Sequence, residues 1–147
     1  MTEKYFLLVE DNPDDELLTI RAFKSEHIAN KIIVVHDGAE ALDFLFSRGA
    51  YEKREPRNLP VIVLLDLKLP KLNGFEVLKE IRSNEVTKYL PVVVLTSSKE
   101  DKDVVEGYRL GANSYVQKPV DYASFLESAR QLHLYWLLLN EPLPDRS

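Results

Sequence analysis

The sequence contains no cysteine, which excludes disulfides, thiolate catalysis and zinc-thiolate sites. It has no basic excess either: 19 Lys and Arg stand against 24 Asp and Glu, a formal net charge of −5. Nucleic-acid binding needs a clustered basic face, none is visible, and no nucleic-acid partner is expected. Long apolar runs are missing. The first run, Tyr5 to Val9, follows Met1-Thr2-Glu3-Lys4 and stops at Glu10, too short for a signal peptide or a membrane span. A cytoplasmic chain without a membrane partner is therefore expected. G-x-G-x-x-G, G-x-x-x-x-G-K-[ST] and H-E-x-x-H are absent, so the common nucleotide-binding and zinc-helix signatures are missing. His27, His36 and His133 are scattered and read as structural or surface residues.

What is present is a set of five short apolar runs: Tyr5–Val9, Ile32–Val35, Val61–Leu65, Val92–Leu95 and Ser114–Val116. The middle three show no polar alternation, the pattern of strands buried on both faces of a parallel sheet. Helical patterns lie between them. Asn12-Pro13 offers a cap and a first-turn proline before Leu17, Ile20 and Phe23. Asp37 with Glu40 resembles a capping arrangement before Ala41, Leu42 and Leu45. Gly74, Val77, Leu78 and Ile81 form a helical stripe. Ser97 with Glu100 predicts a capping box before Val104, Val105 and Tyr108, with Gly111 as a stop. Asp121 can cap a last helix bearing Phe125, Ala129, Leu132 and Trp136 on one face.

The order is strand then helix, five times over. It predicts an α/β fold: a doubly wound, five-stranded parallel sheet, order 2-1-3-4-5, with five helices, flavodoxin-like. One domain over residues 1–147 is expected, with a core of about 4–132 and a C-terminal helix and tail of about 133–147. Ser47 to Pro60, with Gly49, Pro56 and Pro60, reads as a surface loop.

In such a sheet, ligands bind beyond the carboxyl ends of the strands, where strand order reverses. The first run ends in Glu10-Asp11, the third in Asp66, the fourth in Thr96-Ser97, and Lys118-Pro119 follows the fifth. Strands one and three are neighbours at the reversal, so Glu10, Asp11 and Asp66 should share a crevice. Three close carboxylates repel, and a divalent cation relieves them. Magnesium prefers oxygen ligands and leaves room for phosphate oxygens. Asp66 is the candidate nucleophile, since a carboxylate can form an aspartyl phosphate. Magnesium, Lys118 and the Thr96 hydroxyl could neutralise and position the moving group. Each residue alone has an ordinary explanation: Glu10 and Asp11 as acids at a helix start, Thr96 as a cap, Lys118 as a loop lysine. Their appearance at successive strand ends favours a joint site.

These residues resemble the receiver domains of two-component response regulators. The likeness runs from about Lys4 to Leu132. It is carried by Leu7-Leu8-Val9-Glu10-Asp11-Asn12, by Leu64-Leu65-Asp66-Leu67-Lys68-Leu69-Pro70 and by Asn73-Gly74. Val94-Leu95-Thr96-Ser97 and Tyr115-Val116-Gln117-Lys118-Pro119 complete it. The resemblance implies a phosphoprotein that signals in a phosphorelay and is not an enzyme in the turnover sense. Asp66 would take phosphate from a sensor histidine kinase. Mg2+ would be held by Asp11 and Asp66, by the Lys68 backbone carbonyl, and by Glu10 through water. Thr96 and Tyr115 would be the switch pair, Lys118 would contact the phosphoryl group, and Lys118-Pro119 would be a cis peptide. The long Ser47 to Pro60 segment, the lack of an output domain and the Leu132-to-Leu139 end resemble the small cyanobacterial-type regulators paired with phytochrome kinases.

On that basis phosphate should draw Thr96 inward and let Tyr115 turn from exposed to buried. The change would be read on the face of the fourth helix, fifth strand and fifth helix. That face, with the apolar last helix, is the expected homodimer contact. Two other functions compete. A phosphohydrolase using an aspartyl phosphate generally needs an acid two residues after its nucleophile, and Lys68 stands there. A nucleotide-binding module would have its phosphates repelled by the three carboxylates.

Overall fold

The computed structural model describes residues 4–25, 31–69, 71–97 and 100–118, together with 123, 124, 127, 130 and 131. Strands β1 (Tyr5–Val9), β2 (Lys31–Val35), β3 (Ile62–Leu65), β4 (Val92–Thr96) and β5 (Ser114–Gln117) form one parallel sheet in the order β2-β1-β3-β4-β5. Helices α1 (Pro13–Ser25), α2 (Gly38–Leu45), α3 (Gly74–Ser83) and α4 (Asp101–Arg109) connect them. The described residues of the expected fifth helix, Ala123, Ser124, Glu127, Arg130 and Gln131, are helical. Its apolar face at Phe125, Ala129, Leu132 and Trp136 lies outside the described residues, as do the tail and the Lys118-Pro119 peptide.

The strands match the apolar runs to within a residue or two. β1, β3 and β4 are buried at every position, because helices cover both faces of the sheet. Alternation divides the core. Tyr5, Leu7, Val9, Val63 and Leu65 face the side packed by Leu42, Leu45, Val77, Leu78 and Ile81 of α2 and α3. Phe6, Leu8, Ile62 and Leu64 face Ala22 and Phe23 of α1.

Several helix readings need correction. On α1, Leu17 is 48% exposed, and the buried face runs through Thr19, Ala22 and Phe23. Thr19 is hidden without penalty because its hydroxyl donates to the Asp15 carbonyl at 2.9 Å. On α2 the Asp37 carboxylate caps the Glu40 amide, but Glu40 bonds the His36 amide, one residue before the expected partner. The Ser97–Glu100 capping box does not form: Glu100 is itself the N-cap of α4, with no side-chain cap bond. Val105 and Tyr108 of the helical pattern read after that box are 65% and 52% exposed. Gly111 does end α4, with φ of 105°.

The segment from Ser47 to Pro60 is tied down more firmly than a polar surface loop. It includes a 3₁₀ turn at Gly49–Tyr51. The Tyr51 hydroxyl donates to Glu40 at 2.7 Å and its ring meets Phe44 edge-on. Arg54 lies over the Phe44 ring, and the Tyr5 hydroxyl donates to the Asn58 carbonyl. These contacts fix the chain before it enters β3.

Candidate functional site

The sheet's own hydrogen-bond ladder places the site residues. One residue past β1, the Glu10 amide donates to the Val35 carbonyl; one past β3, the Asp66 amide donates to the Val9 carbonyl. One past β5, the Lys118 amide donates to the Thr96 carbonyl at 2.7 Å. Backbone pairing that begins in a buried sheet thus delivers three charged side chains to one edge. Gly74 adds a steric condition. A Cβ there would lie 2.4 Å from the Asp66 carbonyl oxygen and 2.7 Å from the Leu67 Cα. Only glycine lets α3 start this close to the Asp66 loop.

Lys118 Nζ sits at the centre. It donates to Glu10 Oε1 at 2.6 Å, to Asp15 Oδ2 at 2.8 Å and to Asp66 Oδ2 at 2.9 Å. An ammonium has three N–H donors, and all three are used. The other Asp66 oxygen, Oδ1, accepts from the Thr96 hydroxyl at 3.2 Å and from the Lys68 amide at 3.1 Å. Thr96 is therefore already turned toward Asp66. Glu10, Asp66 and Thr96 are all buried.

Electrostatics follows from this packing. Burial pushes the Glu10 carboxyl up to about 7, against the pull of Lys118. Burial also acts to raise Asp66, but hydrogen bonds and charge from Lys118, helped by Glu10 and the Lys68 amide, hold it below the ordinary range. Burial acts to lower Lys118, and its three carboxylate partners outweigh that and raise it. Lys118 stays charged, and Asp66 stays ionised beside it.

Of the residues expected at the site, the structure brings together Glu10, Asp66, Thr96 and Lys118. Asp11 is exposed, the next residue after Glu10. Lys68 meets Asp66 through its amide, and its side chain is exposed. Tyr115 is half-buried, and a Cβ built on Gly107 of α4 would sit 3.3 Å from its ring. Sequence reasoning missed Asp15. It is the third residue of α1, and its amide donates to the Asn12 side chain at 3.1 Å. The Asn12-Pro13 start signal fixes that turn, and with it the direction in which Asp15 faces.

Among the described residues, oxygens of Glu10, Asp15 and Asp66 lie within 4.8 Å of one another. With all three carboxylates ionised, as a bound cation would favour, they outweigh the one ammonium by a formal charge of −2. An all-oxygen donor set with that residual charge fits one hard divalent cation. No helix among the described residues is long and apolar enough to cross a membrane.

Comparison with known proteins agrees with this geometry. The response regulator receiver domain matches residues 6–130. Response regulator Rcp1 of Synechocystis sp. is 40% identical over 91% of this chain and 89% of its own length. The crystal structure of the Mn(2+)-bound form of Rcp1 has a TM-score of 0.84 at 38% identity, covering 96% of this chain and 99% of that one. The phosphorylated cyanobacterial phytochrome response regulator RcpA has a TM-score of 0.87 at 34% identity, covering 95% and 98%. A five-stranded sheet in this order, carrying an acidic crevice with a bridging lysine and matched over nearly its whole length, belongs to a known family: the chain is a response regulator receiver domain.

Proposed function

We propose that this receiver is phosphorylated on Asp66 by a phosphohistidine of a sensor kinase, in a relay driven by a phytochrome-type photoreceptor. The observation that carries the reading is the buried contact of Asp66 with Lys118 and Thr96. In the transfer, a carboxylate oxygen of Asp66 forms a bond to phosphorus as the P–N bond breaks. The electron pair returns to the histidine nitrogen. Lys118 stands beside Asp66 to offset charge on the phosphoryl oxygens, and the Thr96 hydroxyl can exchange a carboxylate oxygen for a phosphoryl oxygen as its acceptor. The acidic crevice fits Mg2+, with Asp11 and Asp66 as carboxylate ligands, the Lys68 carbonyl as a third, and Glu10 acting through water. Magnesium, when bound, supplies positive charge opposite the incoming phosphoryl oxygens.

The phytochrome pairing is supported by the likeness to Rcp1 and to the phytochrome regulator RcpA. Signalling is favoured over phosphate hydrolysis because Lys68 occupies the position where a general acid-base would stand. Tyr115 is the partner of Thr96 in the switch, and its contact with α4 at Gly107 is the route by which the change reaches the surface. Exposed Val105 and Tyr108 on that helix suit a homodimer contact.

Magnesium-dependent labelling by acetyl phosphate tests the central claim. Wild type should be labelled and Asp66→Asn should not; equal labelling of both removes Asp66 as the acceptor. Transfer from a phosphorylated phytochrome kinase, faster than from an unrelated kinase, tests the pairing. Sedimentation that finds only monomer at high micromolar concentration, with and without phosphorylation, counts against the dimer.

A further inference from the structure

Asp15 lies outside the set of residues assigned to phosphoryl chemistry, yet it takes one of the three Lys118 hydrogen bonds. The contact is 2.8 Å, between those to Glu10 at 2.6 Å and Asp66 at 2.9 Å. The three partners differ in what phosphorylation leaves of them. Asp66 commits one oxygen to phosphorus and loses its carboxylate charge when it becomes an acyl phosphate. Glu10 is the acid assigned to the metal's water. Asp15 belongs to a different element, the first turn of α1. It sits in the acidic cluster with Glu10 and Asp66 but is not among the Mg2+ ligands proposed above, so on that reading neither event consumes it. Its position is also set independently. Its amide is held by the Asn12 side chain at 3.1 Å, and its carbonyl accepts from Thr19 at 2.9 Å.

We propose that Asp15 is a positioning residue: it is the retained anchor about which the Lys118 ammonium pivots from the Asp66 carboxylate to the phosphoryl oxygen. This deepens, and rests on, the reading of Asp66 as the phosphoryl acceptor. With Asp15 in place, Lys118 keeps a charged partner throughout the transfer. Its head group needs only to rotate, not to be recaptured from solvent. An asparagine at this position offers a neutral acceptor in place of a charged one, and charge-assisted hydrogen bonds are roughly twice as strong as neutral ones.

The experiment measures initial rates of Asp66 labelling by acetyl phosphate at saturating Mg2+. A small donor removes any effect on kinase docking. Wild type, D15N, D15E, K118A and the D15N/K118A double variant are compared. D15N should be slowed about fivefold to tenfold, and D15E should recover most of the rate. In the K118A background, itself slow, adding D15N should cost less than about twofold, because the lysine through which Asp15 acts is gone. Labelling of D15N at the wild-type rate would overturn the proposal. So would an equal slowing by D15N with and without Lys118, or a failure of D15E to rescue. A wild type that takes no label would instead defeat the reading of Asp66, which keeps the two failures distinct.

Discussion

Helices α3 and α4 carry similar sequence patterns and meet opposite fates. Both have apolar residues at helical spacing and acids in the first turn. On α3 the stripe of Gly74, Val77, Leu78 and Ile81 is wholly buried. A full capping box between Asn73 and Glu76 closes its start. At its C-terminal end, Arg82 spends all five guanidinium N–H groups on Gly111, Lys88, Leu90 and Asn113, tying the turns before β4 and β5 together. On α4 only Gly107 is buried, the N-cap Glu100 makes no side-chain capping bond, and Val105 and Tyr108 face outward. One flank of the crevice is built to stay fixed. The other is lightly held and touches Tyr115, the proposed switch residue. A receiver needs both: a rigid floor for Asp66 and an element whose position can change at small cost.

The strongest way to break this contrast is at Gly74. A methyl group there meets backbone atoms at 2.4 and 2.7 Å, and backbone cannot swing aside as a side chain can. Gly74→Ala should cost more than about 3 kcal/mol in urea unfolding and displace the Asp66 loop. Labelling of any folded fraction should fall at least about tenfold. A stable, normally labelled variant would show that the fixed flank yields. Next in size is the paired comparison Ile81→Ala against Val105→Ala. The first empties a fully buried site and should cost about 2–5 kcal/mol. The second should stay within about 0.5 kcal/mol. Similar losses would mean that α4 is as firmly packed as α3.

The contrast also marks what could be read from the residues alone. β1, β3 and β4 were legible because strands covered on both faces need unbroken apolar runs, and the sequence has them. Glu10, Asp66, Thr96 and Lys118 were legible because each stands at or one step past a strand end, where parallel topology puts the crevice. The α4 face was not. Helical periodicity reports that one side is apolar, and says nothing of whether another element covers it. On α1 the error had a different cause. The buried face contains Thr19, a polar residue satisfied by its own helix, so a search for apolar residues drifted to Leu17. Asp15 was hidden among neighbouring acids of a helix start, where a dipole effect already accounts for negative charge.

Acidity tests the floor between the flanks. Glu10 holds its proton to about 7 when folded, against an ordinary value of 4.5, because it is buried. A carboxyl that binds its proton more tightly in the folded state contributes stability that is full below about 4.5 and is lost as pH rises toward 7. Asp66 has the opposite sign: lowered on folding, it contributes stability present above 3.8 and lost as pH falls. Metal-free protein should therefore lose stability on Glu10's account between pH 4.5 and 7, and Glu10→Gln should flatten that slope. Denaturant titrations at several pH values in chelator provide the measurement. Parallel slopes for the two proteins would place the pH dependence elsewhere.

The smallest expected effect lies at Gly107, and its sign is informative. Glycine inside a helix costs about 1 kcal/mol relative to alanine. Against that gain, an added Cβ would come within 3.3 Å of the Tyr115 ring, closer than comfortable contact. A ring that can turn gives way by a few tenths of an ångström; a ring locked in place cannot. If α4 and Tyr115 form the yielding flank, Gly107→Ala should raise the melting temperature slightly and shift the Tyr115 ring resonances. It should leave labelling of Asp66 unchanged, since the fixed flank and Lys118 are untouched. A fall in melting temperature would mean that Tyr115 is held as tightly as the α3 core. The switch would then need a larger rearrangement than the turn of one side chain.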